Sequence, residues 1–363
     1  MPLRQHLKCL LAGVLAASAA GSMASAETDY SVDKQSFASS AQVAQLARSE
    51  RLRMFVWGKW IETGQAPREI VDAMRSGLTR QGFYHDADTP NIILLDSSAG
   101  PTLAYDRNIN GGLAQDSFSL GGLVFDADPD LLAIPGIVLG LGAGGVGRLA
   151  LSRGSYLEAT VSSAAGWAPA STLGVFDGSV QLCARDHLVR WNFLDACLVQ
   201  GWSARDLTNQ SITRGSMALS TIFETDHGWH EVSGQLARTE FDEYAQITTT
   251  LGIESVWDRV VTETSVTFGV PVDGTTALAH RMALDVHWLM ARQPVSLSLW
   301  RVTARGGSFL GTSREDQSIG LTYQWQASGG PLVEIGVTSR DSTVDIFDQV
   351  DASFRLRFDG FGL

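Results

Sequence analysis

Apolar and polar side chains alternate along several short segments in the last third of the chain, and this alternation restricts the fold more than any other feature. It is clearest in residues 260–270, 282–288, 319–325 and 352–358. A period of two residues is typical of a β-strand with one apolar and one polar face. Segments of about ten residues with aromatic side chains near their ends favour a transmembrane β-barrel. In the alternative, a soluble β-sandwich, the apolar faces would pack against each other.

The first residues have the pattern of a secretory signal peptide. Arg4 and Lys8 precede an apolar run at 10–20, and Ala24-Ser25-Ala26 forms a small-x-small cleavage site. We therefore predict a signal peptide at 1–26 and export of the chain that follows.

The overall charge excludes one class of partner. The chain has 27 Lys and Arg against 39 Asp and Glu, a net charge of −12. Such an acidic protein does not attract a phosphate backbone, so we expect no nucleic-acid partner. After the signal peptide no run of 18 apolar residues occurs, so a helical membrane span is not expected.

Two cysteines follow the predicted cleavage site, Cys183 and Cys197. In an oxidising compartment such a pair predicts a disulfide between neighbouring strands. Two reduced, buried cysteines remain the alternative. A metal site would need more ligands than this pair supplies, and we predict none.

The exported chain divides into a short helical part and a long strand-rich part. Residues 27–98 contain a loose polar tether at 27–39 and a predicted hairpin of two helices, which ends near Gly82. We expect the hairpin to pack on the periplasmic mouth of the barrel, which occupies residues 99–363. Residues 91–95 fit either a short strand or a linker.

Fifteen segments have the pattern of barrel strands, whereas a single-chain bacterial barrel has an even number. We predict 14 strands and doubt the region 168–204 most, where Asp177-Gly178 and Arg185-Asp186-His187 compete as turns. The segments are 101–109, 117–126, 136–150, 155–167, 179–186, 190–204, 214–225, 230–241, 245–257, 260–271, 276–289, 294–305, 316–327, 331–341 and 350–358. Eight of the ten Trp lie here, most near a predicted strand end, which is typical of an aromatic girdle.

Three local patterns suggest chemistry and fail on inspection. Residues 140–145 satisfy GxGxxG, but the helix and the acidic residue of a dinucleotide fold do not follow. Residues 126–130 resemble the start of a calcium loop that lacks its later ligands. Residues 224–231 hold two His and three carboxylates around Gly228, which fits a polar hairpin turn better than a zinc site. We therefore predict no catalytic residue, no cofactor and no enzyme activity.

The segment 101–112, with Gly-Gly-Leu-Val-Phe at 121–125, resembles the start of the barrel in the surface lipoprotein assembly modifier family. The residues that carry the likeness are Tyr105, Asp106, Asn108, Asn110, Gly111 and Gly112. The resemblance implies a barrel of about 14 strands that helps to deliver lipoproteins across the outer membrane. The chain departs from that family in having one helical hairpin in place of a helical repeat array. It also continues beyond Phe358, the aromatic residue expected to end the barrel, as residues 359–363.

We therefore predict a mainly β protein, an antiparallel transmembrane β-barrel of about 14 strands preceded by a short α-helical hairpin, in the cell outer membrane. The expected role is translocation of a lipoprotein or other cargo; a porin-like passive channel and a membrane-embedded hydrolase are the alternatives. Expected partners are outer-membrane lipid, the barrel-assembly machinery and a lipoprotein cargo. Parity alone selects four candidates for the lumen: Arg281, Asp285, Arg355 and Arg357.

Overall fold

The computed structural model describes residues 34–86, 89–120, 123–327 and 330–358. The predicted signal peptide and residues 359–363 lie outside these ranges. Within these ranges, three α-helices precede the first strand: α1 (Lys34–Val43), α2 (Glu50–Glu62) and α3 (Arg68–Arg80). The helical hairpin predicted from the sequence corresponds to α2 and α3. The predicted tether is wrong from Lys34 onward, where α1 begins.

Fourteen strands form a closed antiparallel barrel, as the alternation predicts, and a separate two-stranded sheet consists of β2 and β3. The strands are β1 (Asn91–Asp106), β2 (Ser117–Leu120), β3 (Leu123–Asp126), β4 (Gly136–Ser152), β5 (Ser155–Ala168), β6 (Leu173–Val189), β7 (Asn192–Ala204), β8 (Asn209–Thr225), β9 (Gly228–Phe241), β10 (Ala245–Val256), β11 (Val260–Gly269), β12 (Ala277–Met290), β13 (Gln293–Phe309), β14 (Thr312–Gln326), β15 (Leu332–Ser342) and β16 (Gln349–Arg357). Each barrel strand pairs with its neighbour in sequence, and β1 closes the ring between β4 and β16.

The surplus strand of the prediction is segment 117–126, which forms the β2–β3 hairpin in the connection from β1 to β4. The doubt about 168–204 was misplaced, because this region contains the two wall strands β6 and β7. Both turns proposed there are wrong. Asp177-Gly178 and Arg185-Asp186-His187 lie within β6, and the chain reverses at Arg190 and Trp191.

The two faces of the barrel strands differ in polarity, as a membrane barrel requires. Leu141, Leu198, Leu251 and Ile319 are 67%, 52%, 55% and 59% exposed on the outer face. Residues of the opposite parity contact the helices or carry polar groups. The apolar band therefore points outward and the polar parity lines the lumen.

The tryptophans only partly follow the predicted girdle. Trp167 and Trp202 are 51% and 44% exposed near one end of β5 and β7. In contrast, Trp229 is buried under the helices, and Trp300 has the lumen parity, with the Arg281 guanidinium carbon 5.7 Å from its ring centroid. The girdle prediction is wrong for these two.

The two ends of the barrel differ. At the plugged end, where the helices lie, β4–β5, β6–β7, β8–β9 and β12–β13 are joined by turns of two residues. At the loop end, residues 107–135, here called the mouth loop, connect β1 to β4. None of the described helices is both long and apolar enough to span a bilayer.

Candidate functional site in the barrel lumen

The helices form a plug that covers part of the inner wall at one end of the lumen. Leu52, Phe55 and Val56 of α2 pack with wall residues such as Phe193 and Val261, and all of these side chains are buried. Phe55 also meets Trp191 edge to face, with ring centroids 4.8 Å apart. Burial of such side chains contributes roughly 1.5–3 kcal/mol each, so apolar packing helps to hold the plug against the wall.

The start of α2 docks against a row of carboxylates. Strands β9 to β12 each contribute one acidic residue to this row. Each residue lies directly opposite the next one on the neighbouring strand: Glu231, Glu254, Glu263 and Asp285. The backbone N–H groups of Arg48 and Ser49 donate to the Glu254 carboxylate at 2.6 and 3.0 Å. The Ser49 hydroxyl donates to Glu231. The Arg48 guanidinium lies 3.0 Å from Glu263 and 3.8 Å from Asp285.

The contact with the start of α2 offsets the repulsion among the four carboxylates. Like charges directly opposite on neighbouring strands destabilise a sheet. The amino terminus of a helix carries free N–H groups and a partial positive charge, so it suits carboxylates. Ser49 is also the N-cap of α2 and accepts a hydrogen bond from the Leu52 N–H at 3.1 Å. One short segment therefore caps its own helix and offsets part of the negative charge of the wall. The described residues show no group of His, Cys, Asp or Glu that could hold a metal ion.

On the opposite side, charges of both signs alternate along the wall. Arg148 of β4 pairs with Glu158 of β5 at 2.7 Å, and Glu158 pairs with Arg185 of β6 at 2.6 Å. Arg185 lies 3.5 Å from Asp195 of β7, which also binds Arg51 of α2. The plug thus completes a chain of ion pairs that belongs mainly to the wall.

Glu50 of α2 links α2 and α3 to this series of ion pairs. Its carboxylate contacts Arg80 of α3 at 2.9 Å and Arg148 of the wall at 2.7 Å. Burial acts to raise the pKa of Glu50, but hydrogen bonds and charge from Arg148 and Arg80 outweigh it and leave the pKa below its ordinary value. Glu50 is therefore ionised in the folded protein at neutral pH.

The mouth loop crosses the other end of the barrel. The Leu207 N–H donates to the Asn110 carbonyl at 2.8 Å, which ties the loop to the β7–β8 connection. On the far side, the Gln115 amide donates to the Asp348 carbonyl at 2.9 Å in the β15–β16 connection. The Phe118 ring lies 6.0 Å from the Phe309 ring at the end of β13. Because these anchors are about half a turn apart in the strand order, the loop narrows the mouth.

The residues of the family-like motif build this loop. Asp106 accepts from the Asn108 N–H at 2.8 Å, and the Asn108 side chain both donates to and accepts from Gly112, at 2.8 and 2.7 Å. Asn110 is 1% exposed and bridges the Leu132 carbonyl and the Ile134 N–H, at 2.7 and 2.9 Å.

The remaining motif residues also have local structural roles. Gly111 has a φ of +77°, which favours glycine. A Cβ on Gly112 would lie 2.5 Å from the Leu131 carbonyl oxygen, so glycine is required by close approach. Tyr105 pairs across the seam with Phe354. The motif therefore has a structural role in this chain.

Near the plugged end of β13 to β16, the inner face carries a belt of polar side chains. Ser296 donates to Gln324 at 3.3 Å, Gln324 donates to Glu334 at 2.6 Å, and Arg355 lies 3.7 Å from Glu334. The hydrogen bonds and ion pairs described above link the plug to β4, β7 and β9–β12. The polar belt is thus the part of the lumen that offers a hydrophilic path past the plug.

The four residues selected by parity lie on two strands, β12 and β16. Asp285 belongs to the carboxylate row and accepts from Ser298, and Arg281 lies beside Trp300. Arg355 joins the polar belt, and Arg357 ends β16 opposite Thr102. Whether these residues act on a solute stays a prediction. The disulfide between Cys183 and Cys197 is present and joins β6 to β7.

Sequence reasoning missed the plug contacts. Arg51 and Asp195 are 144 positions apart, so no local pattern links them. Parity along β4 and β5 places Arg148 and Glu158 on the lumen side, and this signal was available in the sequence. His230 and Glu231 indeed lie next to a hairpin turn, where His230 bonds Ser255 at 2.8 Å.

No protein-family model matches the chain, and no curated protein matches it. Among solved structures it is similar to OccK3 (OpdO) of Pseudomonas aeruginosa, with 10% identity and a TM-score of 0.39 over 79% of this chain and 99% of that chain. It is also similar to OccAB1 of Acinetobacter baumannii, with 6% identity and a TM-score of 0.40 over 78% and 100% of the two chains. A third similar structure is OccAB2 of the same organism, with 7% identity and a TM-score of 0.41 over 78% and 99%.

Proposed function

We propose that the protein is a porin-like channel that lets small polar solutes cross the outer membrane through a lumen restricted at both ends. The observation that carries this proposal is the polar belt of β13 to β16. It gives water and solutes a hydrated surface beside the plug, while the outer face of the same strands is apolar. A barrel with a polar interior and an apolar exterior is the architecture of outer-membrane channels.

The orientation follows from the turns. Short turns of such barrels face the periplasm and longer loops face outward, so the plug would lie on the periplasmic side. The mouth loop would face the cell exterior. The chemistry in this proposal is selection by size and charge, with no covalent step.

The resemblance to surface lipoprotein assembly modifiers implied a more specific function, delivery of a lipoprotein to the cell surface. The motif residues on which it rests are used to fold the mouth loop, so they carry no information on a cargo. We therefore place the channel first.

The test uses the mature full-length chain, folded in detergent and shown to be folded by compact gel migration that is lost on boiling. In planar bilayers we expect small, discrete conductance steps, and in liposomes we expect swelling with small sugars that declines with sugar size. Folded protein that gives neither steps nor swelling would reject the channel. Protease shaving of cells with and without the gene tests lipoprotein export separately.

A further inference from the structure

A cavity lies on the inner face of β5 to β8, toward the loop end of the barrel. Its volume of about 450 Å³ is within the roughly 300–1,000 Å³ of small-molecule sites. In the strand order, β5 to β8 lie across the barrel from β13 to β16. The cavity, here called the loop-end cavity, is therefore separate from the polar belt and from the plug contacts.

Strand register brings polar residues of lumen parity together in two adjacent rows of this cavity. The row nearer the loop end consists of Asp177, Ser203 and Gln210. The next row consists of Ser162, Ser179 and Gly201. Trp202 has the opposite parity and is 44% exposed on the outer face. Because side chains alternate across a strand, the two rows face the lumen.

The charge of the first row is balanced. Asp177 accepts hydrogen bonds from the Ser203 hydroxyl at 2.7 Å and from the Arg205 guanidinium at 3.1 Å. The Asp177 side chain is 53% exposed, and a carboxylate has about four lone-pair positions. It can therefore accept further hydrogen bonds from a solute, while Arg205 offsets its charge.

The other polar groups supply neutral acceptors and donors. The Ser162 and Ser179 hydroxyl oxygens lie 2.8 Å apart, so one hydroxyl donates to the other and both keep acceptor capacity. The exposed Gln210 amide forms no hydrogen bond with any described residue, and it offers two donors and an acceptor. Ile212 lies opposite Gly201, where a Cβ would be 3.0 Å from Ile212 Cγ1, and supplies a small apolar surface.

We propose that the loop-end cavity binds a neutral polyhydroxy solute, of the sugar or polyol class, on its way through the lumen. Asp177 and the two serines accept hydrogen bonds from the hydroxyl groups of the solute, and the Gln210 amide both donates and accepts. The C–H groups of the solute lie against Ile212. The assignment rests on the proposed channel function and narrows it to one class of solute.

An anionic solute is the competing possibility. Arg214 is on the next row toward the plug, opposite Val199, and its guanidinium donates to Gln235 at 2.7 Å. A solute attracted by this cation would carry a negative charge. Sorbitol and gluconate are suitable probes, because both have a chain of hydroxylated carbons and only gluconate carries a carboxylate.

The first experiment measures binding by saturation-transfer-difference NMR. The mature full-length chain is folded in a detergent without a sugar headgroup and titrated with each probe. We expect a saturable sorbitol signal and an apparent Kd for gluconate that is at least about fivefold higher. Gln210→Ala, which removes no described hydrogen bond, should raise the sorbitol Kd about fivefold, since each hydrogen bond contributes about 0.5–1.5 kcal/mol. Ser318→Ala removes a hydroxyl of lumen parity on β14, across the barrel, and should leave this Kd unchanged.

The second experiment changes the charge of the cavity. Asp177→Asn leaves the Arg205 guanidinium without its described carboxylate partner. We therefore expect weaker sorbitol binding and tighter gluconate binding, so that the order of the two probes is reversed. Compact gel migration shows that each variant is folded. If Asp177→Asn does not fold, Gln210→Ala and its Ser318→Ala control decide the question.

Four results would overturn the site. They are a sorbitol signal that does not saturate, tighter binding of gluconate than of sorbitol by the wild type, an unchanged sorbitol Kd in Gln210→Ala, and an equal loss in Ser318→Ala. NMR binding does not depend on ion flow. Conductance steps without sorbitol binding would therefore reject only this site, whereas sorbitol binding without conductance or swelling would reject the channel.

Discussion

Arg51 of the plug and Asp195 of the wall form a two-pronged ion pair, with nitrogen–oxygen distances of 2.9 and 2.6 Å. The side chains are only 8% and 17% exposed, and the guanidinium also stacks 4.3 Å above the Phe193 ring. This pair and the Glu50 contacts fix the orientation of α2 in the lumen.

Arg51→Ala should release the plug. Removing one partner of a buried ion pair costs up to about 3–5 kcal/mol, and the cost here is smaller because Arg185 remains 3.5 Å from Asp195. We expect larger conductance steps and faster proteolysis of residues 34–86. Lys59→Ala, which removes a pair with Glu224 that is 34% and 43% exposed, is the control and should change both little. If the Arg51 variant keeps the wild-type steps and protection, the pair does not hold the plug.

Arg48→Ala should make the lumen more selective for cations. The change leaves Glu263 and Asp285 without their described cation, so the carboxylate row gains net negative charge. The reversal potential in a KCl gradient measures this effect, and it should shift toward the potassium potential. Arg75→Ala on α3 removes an arginine whose described ion pair is with Asp72, and it should leave the reversal potential unchanged. An unchanged potential in both variants would contradict the assignment of the row to the conducting path.

Asn110→Ala should loosen the mouth loop. The side chain is buried and supplies both a donor and an acceptor to backbone groups, and leaving such groups unpaired costs about 1–3 kcal/mol. We expect faster cleavage within residues 107–135 and noisier conductance. Gln115→Ala removes one hydrogen bond to Asp348 and should have a smaller effect. Equal cleavage of wild type and Asn110→Ala would show that the loop is held elsewhere.

Acid should weaken the plug through Glu50. Its pKa is lowered in the folded state, so its contribution to plug docking is complete above the ordinary Glu pKa of about 4.3. The contribution is lost as pH falls through the folded value. Proteolysis of residues 34–86 by pepsin, measured as pH is lowered, should accelerate in wild type. Glu50→Gln should already be accelerated at the upper end of this range and should depend less on pH.

Loss of the disulfide should lower stability without changing conductance. Cys183 and Cys197 are separated by 14 positions, and closing a loop of that size contributes about 3 kcal/mol. The double change to Ser should lower the temperature at which compact gel migration is lost. Reduced wild type should behave in the same way. A conductance change would mean that the bond also shapes the lumen.

The strands of the wall could be predicted because lipid and lumen sort side chains by parity. The same rule produced the error at 117–126. Phe118 and Phe125 stack with ring centroids 5.4 Å apart, and a loop hairpin with such a packed face alternates like a wall strand. At Gly178 the mistake was different. A Cβ there would lie 2.9 Å from the Phe176 ring, so this glycine makes space within a strand and does not mark a turn.

The plug contacts were beyond sequence reasoning for a physical reason. Glu50 accepts a hydrogen bond from Arg148, 98 positions away. Which arginine reaches Glu50 depends on the position of α2 in the lumen. Parity selects which residues face inward but not which of them meet. The family that the motif at 105–112 suggested is not supported by the comparisons, and the role of the motif in folding the mouth loop follows from its hydrogen bonds.

The plug is covalently continuous with the wall that it blocks. α3 ends at Arg80 and β1 begins at Asn91, so a plug that leaves the lumen stays tethered to the wall by the short segment between these residues. Its effective concentration at the docking surface is then on the order of millimolar, whatever the protein's abundance in the envelope. Reclosure would need no second molecule, and each channel would recover its resting state independently of its neighbours.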